Sequence, residues 1–281
     1  MIKKLINRFV YEGHLISLGA TGIVSTFLIL IDQKISIQLL IVIYLLAFLC
    51  LLYDRHESRK TDYLTNPDRT KCLEKYFKII PLISILIVSI TVLVLAFSGA
   101  FTSLLFILLL TLMMAFYTKC LKGLTDKIIG FKNIAFSLIV SLLLVFASIY
   151  YSYNFLAPTF AVLFVFCFLR MMANTIFLDI KDLKSDRKED LKTIPSVFGR
   201  TKTMLILVLL NIASGFILIL GLLFNLIPSY SAVLLLFILY SFYYFQKSKE
   251  RKNFYLVNYV LADAEFILWP ISLIIARAVI L

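Results

Sequence analysis

The stretch DIKDLKSDRKEDLKTIPSVFG, residues 179–199, decides how the rest of the chain is read. It opens with five carboxylates in twelve residues, Asp179, Asp182, Asp186, Glu189 and Asp190, in a chain that is 62% hydrophobic. On a helix through 179–192, at about 100° per residue, these five share one arc of roughly 100°. Lys181, Lys184, Lys188 and Lys192 take the opposite arc. A surface helix laced by ion pairs sets opposite charges three or four residues apart. Here only Arg187 with Asp190 and Glu189 with Lys192 do so, and the aspartates stack on like charges. Two carboxylates ~5 Å apart repel by ~3 kcal/mol at an effective dielectric near 20. Such a face calls for a cation, and oxygen-only ligands suit Mg2+ or Ca2+ rather than zinc.

The sequence on either side of this stretch is apolar over runs of ~20 residues, enough to cross a bilayer. Mean hydropathy is +0.98, and the charged residues, 16% of the chain, sit in clumps between apolar runs. Run lengths predict nine membrane spans, near 13–31, 36–53, 79–97, 101–118, 131–151, 157–178, 203–223, 230–246 and 255–279. The fold class expected is an all-α integral membrane protein, one domain over 1–281, with the spans around a central cavity. Connections after odd-numbered spans are short and nearly uncharged; those after even-numbered spans are long or charged. With the N-terminus cytoplasmic, 26 of the 28 Lys and Arg lie on the cytoplasmic side or at its interface; Lys34 and Arg277 are the exceptions. That bias predicts a multi-pass protein of a prokaryotic plasma membrane, its N-terminus and acidic loops cytoplasmic. It also absorbs the net charge of +12, so nucleic acid is not an expected partner. Met1–Val10 is basic, but the apolar run after Glu12 leads straight to a second span, so no cleavable signal peptide is expected. Cys50, Cys72, Cys120 and Cys167 are isolated, without the spacing of a zinc site or a disulfide framework.

Acidic loops follow the second and sixth spans. The first reads YDRHESRKTDYLTNPDRT, residues 53–70, with Asp54, Glu57 and Ser58 on one helical face, Asp62 one turn on, and Pro67 ending any helix by Asn66. Lying four spans apart on one side of the bilayer, the two loops are expected to face each other over one mouth. A third segment on that side, YTKCLKGLTDKIIGFKN, residues 117–133, supplies Lys119, Lys122, Lys127 and Lys132. Lys132 and Asn133 open an apolar span, an unusual place for two polar residues unless they point inward. Within the spans, Asn174, Arg170, Asp263 and Glu265 stand out, since an intramembrane charge is costly.

Carboxylates and lysines at the mouth of an apolar bundle suit a metal-bridged diphosphate above and a hydrocarbon tail below. The sequence therefore points to an isoprenoid diphosphate, its departing diphosphate stabilised by Mg2+ and lysine. Here the chain resembles the UbiA superfamily of intramembrane prenyltransferases. Asp179, Asp182, Asp186 and Arg187, followed by Thr193, Pro195 and Gly199, are similar to that family's second aspartate motif. Tyr117 with Gly130, Phe131, Lys132 and Asn133 resembles its tyrosine and G-x-K-N signature. Asp54, Asp62, Asn66, Pro67, Asp68 and Arg69 resemble its first motif, with Asp54 at the asparagine position and Ser58 at the middle aspartate. In the second motif Asp190 stands at the usual glycine.

The resemblance implies a Mg2+-dependent transferase with a polyprenyl diphosphate donor, a lipophilic or aromatic acceptor and membrane lipid as surroundings. Asp54, Asp62, Asp179, Asp182 and Asp186 would be its metal and catalytic residues. Asn174, Lys119, Lys122, Lys132, Asn133, Arg69 and Tyr117 would bind substrate. Two further readings keep the fold: a non-catalytic isoprenoid-binding protein, and a transferase moving a phosphosugar onto a polyprenyl phosphate. A transporter fits less well, because its sites belong at the bilayer midplane.

Overall fold

In hydrocarbon a segment must satisfy its own backbone N–H and C=O groups, so long apolar runs become helices. The computed structural model describes residues 2–59, 63, 66–97, 101–116, 122–248 and 257–280, and all regular elements among them are helical. Asp62, Tyr117 and Lys119 lie outside the described residues, as does the side chain of Lys122.

The order is α1 (Ile2–Glu12), α2 (His14–Leu30), α3 (Ile37–Glu57), α4 (Pro67–Glu74), α5 (Ile80–Phe97), α6 (Phe101–Phe116), α7 (Phe131–Tyr150), α8 (Pro158–Asp179), α9 (Leu183–Lys188), α10 (Ile194–Leu223), α11 (Leu236–Lys247) and α12 (Ala262–Ile280). Short 3-10 turns lead into α7 and α11, and a π-helical turn, Val257–Leu261, leads into α12. Seven elements are long and apolar enough to cross a membrane: α3, α5, α7, α8, α10, and α11 and α12 with their leading turns. The bent pair α1–α2 makes an eighth. The expected nine is thus seven or eight by length, because α6 has 16 residues and α2 by itself 17. The helix expected from 203 begins at Ile194 instead and kinks at Gly199, φ 71°.

α1 meets α2 at 67°, and the bend is made at Gly13, φ 96°. A side chain there would be strained by the left-handed backbone and would also collide with Arg55. Arg55, buried at the end of α3, donates from Nη1 to the Tyr11 carbonyl at 2.8 Å and braces the bend.

Between lipid-embedded helices burial from water drives little, and close packing decides which faces meet. α2 is buried along most of its length and lies tightly against α12. Gly19 and Gly22 make this approach possible. A Cβ on Gly19 would touch Phe266 Cβ at 3.5 Å, and one on Gly22 would run into the Phe266 carbonyl oxygen. Gly22→Leu is expected to force the two helices apart and cost at least ~2 kcal/mol, read as a lowered melting temperature in detergent. An unchanged melt would show that this seam tolerates separation. Beside it, Trp269 is buried against Phe166 and Phe266, ring centroids 5.1 and 5.0 Å away.

Arg170 is one of the charged residues singled out within the spans from sequence. It sits nine residues before the end of α8, ~13 Å below its tip at 1.5 Å per residue, and is 2% exposed. Its Nε donates to Glu265 Oε1 at 3.0 Å. Its other nitrogens reach Asn211, Ser241 and the Phe237 carbonyl, and Tyr244 donates to the far oxygen of Glu265 at 3.3 Å. One guanidinium thus ties α8 to α10, α11 and α12.

Candidate active site at the mouth of the bundle

The acidic stretch is not one helix, which corrects the single arc expected from sequence. α8 stops at Asp179, residues 180–182 turn, and α9 restarts with Asp182 as its N-cap residue. A continuous helix would have stacked like charges at successive i, i+3 and i, i+4 positions; the break interrupts that periodicity after Asp179, though Asp179 and Asp182 stay close enough to Asp186 to push its carboxyl up. Asp179 and Asp186 are buried and Asp182 is half-buried, while Glu189 and Asp190 are exposed. Asp190 has φ 54°, a conformation that glycine takes freely and aspartate tolerates. That is the physical reason for a glycine at this position in the resembled motif.

Two backbone hydrogen bonds bring the loop before α7 against the exit of the acidic stretch. Gly130 N–H donates to the Lys192 carbonyl and Lys192 N–H to the Thr125 carbonyl, both at 2.9 Å. Gly130 caps α7 with φ 69°, and Lys132 and Asn133, two and three residues on, turn into the mouth. Lys132 Nζ lies 2.8 Å from Asp179 Oδ1, and Asn133 Nδ2 donates to Asp179 Oδ2 at 2.8 Å. The other Asn133 amide atom, Oδ1, is buried without a hydrogen-bond partner.

Thr193 explains the second half of the motif. Its hydroxyl donates to Asp186 Oδ2 at 2.8 Å and accepts from the Ser196 N–H, so one side chain fixes a carboxylate and starts α10. Pro195, in the first turn of α10, needs no partner for its nitrogen.

Lys181 does not join the solvated lysine arc. It turns inward, its Nζ 3.3 Å from Asn66 Oδ1 and 4.5 Å above the Tyr259 ring. Tyr259 also hydrogen-bonds Asn66 Oδ1. The 53–70 loop, the acidic stretch and the π-helical turn therefore meet at one point, and such turns often mark functional positions. Arg69, in α4, is close enough to oppose, weakly, the burial that raises the Asp182 carboxyl. Asp54 lies half-buried on the last turn of α3. Burial lowers the Lys181 amine to about 8 and outweighs the opposing pull of Asp182. Burial also raises Asp182, and raises Asp186 to about 6, against the neighbouring charge of Lys132.

No three His, Cys, Asp or Glu side chains among the described residues converge tightly enough to cage a cation. Of the five expected metal ligands, Asp54, Asp179, Asp182 and Asp186 are among the described residues and form no such cage by themselves. The donor set still suits Mg2+. Asp182 and Asp186 are desolvated carboxylates, and Asn133 Oδ1 is an orphaned hard oxygen beside Asp179. Mg2+ is commonly held by one or two carboxylates plus substrate phosphates and retained water, not by an all-protein cage.

Directly below lies an apolar cavity lined by α2, α3, α6, α7, α8 and α12. Leu178 and Thr175 line its roof, one and four residues before Asp179, and Phe136 lines it one turn below Lys132. Asp263 and Asn174 are its polar wall residues near that roof. Asn174, expected to bind substrate, donates to the Ala262 carbonyl at 2.9 Å and so fastens α8 to α12 at the cavity edge. Sequence reasoning missed Lys181 and Tyr259. The available signal was the place of Lys181 between Asp179 and Asp182, the most closely spaced aspartates of the motif; nothing in the sequence placed Tyr259 beside it.

With this geometry in hand, comparison with known proteins is direct. An archaeal relative, the digeranylgeranylglyceryl phosphate synthase of Methanosphaera stadtmanae, is 40% identical over 47 residues, which span 17% of this chain and 17% of that protein. The fold is similar to the apo structure of a UbiA homolog from Aeropyrum pernix K1, with TM-score 0.68 and 13% identity over 95% of this chain and 98% of that one. It is equally similar to a UbiA homolog from Archaeoglobus fulgidus bound to GPP and Mg2+, with TM-score 0.68 and 14% identity over the same shares. The profile of the UbiA prenyltransferase family matches residues 19–261, and the chain belongs to that family.

Proposed function

We propose that this chain transfers a prenyl group from a polyprenyl diphosphate to a lipophilic acceptor, with Mg2+ bridging the diphosphate to the acidic stretch. The observation that carries this reading is the seating of the Asp179–Lys132–Asn133 cluster on the roof of an apolar cavity. The GPP and Mg2+ bound by the Archaeoglobus homolog support the donor class. Asp179, Asp182 and Asp186, with Asp54 and Asp62 from the first loop, would hold the metal. Lys132 and Arg69, joined by Lys119 and Lys122, would neutralise phosphate oxygens, and Asn133, Asn174 and Tyr117 would position the donor. Bound Mg2+ supplies Lewis-acid stabilisation of charge on the leaving diphosphate. The cavity takes the tail and keeps water from the allylic cation until the acceptor captures it. We place α6 as a further span, giving nine with α1–α2 counted once, and the mouth and N-terminus on the cytoplasmic side of a prokaryotic plasma membrane.

Thermal stability in detergent tests this reading. Geranyl, farnesyl or geranylgeranyl diphosphate should raise the melting temperature only when Mg2+ is present, since a ligand at 100 times its dissociation constant adds ~2.7 kcal/mol. The shift should shrink between pH 7.5 and 5, because Asp186, at about 6, takes up a proton that competes with the metal. The absence of a shift with every diphosphate would remove the proposal.

A further inference from the structure

Two carboxylates stand two residues apart at the start of α12, and they meet different fates. Glu265 turns into the bundle, where Arg170, Ser241 and Tyr244 satisfy it. Asp263 instead lines the wall of the central cavity. It is 7% exposed and makes no ion pair among the described residues. Its carboxyl hydrogen-bonds the Asn174 amide. The opposite charges that act on it from other elements are Lys181, in the acidic stretch, and Arg55, at the end of α3. An unpaired carboxylate at this depth is costly, and the packing of α12 makes no use of it.

Its depth matches the reacting end of a donor. Asn174 precedes Asp179 by five residues, ~7.5 Å of helix at 1.5 Å per residue. A prenyl diphosphate whose phosphates meet the acidic stretch would carry its first carbons at this level. The other polar groups of the wall are poor proton acceptors. Thr111 and Thr175 donate their hydroxyls back to the Ile107 and Met172 carbonyls of their own helices, at 2.8 and 3.2 Å. Cys50 offers only a thiol, a weak acceptor. Asp263 is the one carboxylate among the described lining residues.

We propose that Asp263 is the general base of the reaction, taking the proton from the hydroxyl group of the acceptor, and that the acceptor is a lipid-soluble alcohol or phenol prenylated on oxygen. This rests on reading the central cavity as the prenyl site. A carboxylate accepts hydrogen bonds and donates none, so it orients an O–H and repels an acceptor whose reacting end is itself anionic. The allylic C–O bond breaks, and its electron pair leaves with the diphosphate. A lone pair of the acceptor oxygen forms the new C–O bond. The hydroxyl proton passes to Asp263, and the O–H electron pair stays on oxygen. Without that transfer the protonated ether is a good leaving group and returns the cation, which water then captures. The products are a prenyl ether, free diphosphate and protonated Asp263, which gives its proton to water as they leave.

The test uses the full chain in nanodiscs with geranylgeranyl diphosphate, Mg2+ and two membrane-soluble probes, hexadecanol and para-dodecylphenol. Mass spectrometry reads the ratio of prenyl ether to geranylgeraniol, the product of water capture. Asp263→Asn should keep Mg2+-dependent thermal stabilisation by the donor and lower that ratio by ~100-fold or more, the scale of a lost general base. Asp263→Glu, which keeps the carboxylate, should recover most of the ratio; a purely structural aspartate would be disturbed by the longer side chain as well. Asp263→Ser carries the same comparison if Asp263→Asn fails to fold. An unchanged ratio in Asp263→Asn, a ratio in Asp263→Glu no better than in Asp263→Asn, or a wild type that releases diphosphate and forms ether with neither probe overturns the proposal. A wild type with neither Mg2+-dependent stabilisation nor diphosphate release would instead sink the prenyl-transfer reading beneath it.

Discussion

Asp182→Asn should lose Mg2+-dependent stabilisation by prenyl diphosphates and slow transfer by at least ~100-fold, while melting unliganded at or slightly above the wild-type temperature. The two halves of this expectation come from one fact. Asp182 sits where burial raises its carboxyl, so at neutral pH the ionised form is held against its preference. Neutralising it relieves the empty protein, because a folded-state pKa above the unfolded one means that stability falls as pH rises through that window. The same neutralisation removes an anionic oxygen from the place where the metal and diphosphate would sit. Metal stabilisation of developing charge is worth several kcal/mol, and each 1.36 kcal/mol is tenfold in rate. Transfer assays and ligand-free melts on one preparation check both halves. Wild-type activity in the variant would exclude Asp182 from the site, and a large fall in the unliganded melt would make it a structural residue instead.

Glu265→Leu should destabilise by ~3–5 kcal/mol, because it strands the Arg170 guanidinium in the bundle interior. Asn211 and Ser241 would keep some of its donors occupied but none of its charge. The double variant Arg170→Met with Glu265→Leu should recover most of that loss, since removing both members of a buried pair is often nearly neutral. The measurement is a double-mutant cycle on chemical or thermal unfolding in detergent. Additive losses would show that the two residues are not coupled as the contacts imply.

The spans were legible because apolar run length is a one-dimensional property, and the chain writes it plainly from Ile80 to Phe97 or from Phe131 to Tyr150. Asp179 with Lys132 and Asn133 was legible in part, through polar residues placed where an apolar helix begins or ends. The break at residues 180–182 was not legible, because helical periodicity assumes the helix continues and says nothing about what the stacked charges do to it. Lys181 was misplaced for that reason: its inward turn exists only because α8 stops at Asp179. The contacts of Asn174 and Tyr259 were beyond reach in a different way. Their partners, the Ala262 carbonyl and Asn66, lie 88 and 193 residues away, and only packing brings them together.

The ion pair inside the bundle also fixes a timetable for biogenesis. Arg170 is synthesised before every partner that satisfies it: Asn211 comes 41 residues later, Ser241 71, and Glu265 95. A guanidinium at mid-helix costs the inserting segment ~2.5–3.5 kcal/mol on translocon scales. Until the last span emerges, α8 carries that cost alone or stays where water still reaches it. Ribosome-bound intermediates that stop before residue 265 are therefore the stage at which this protein is most exposed to membrane quality control.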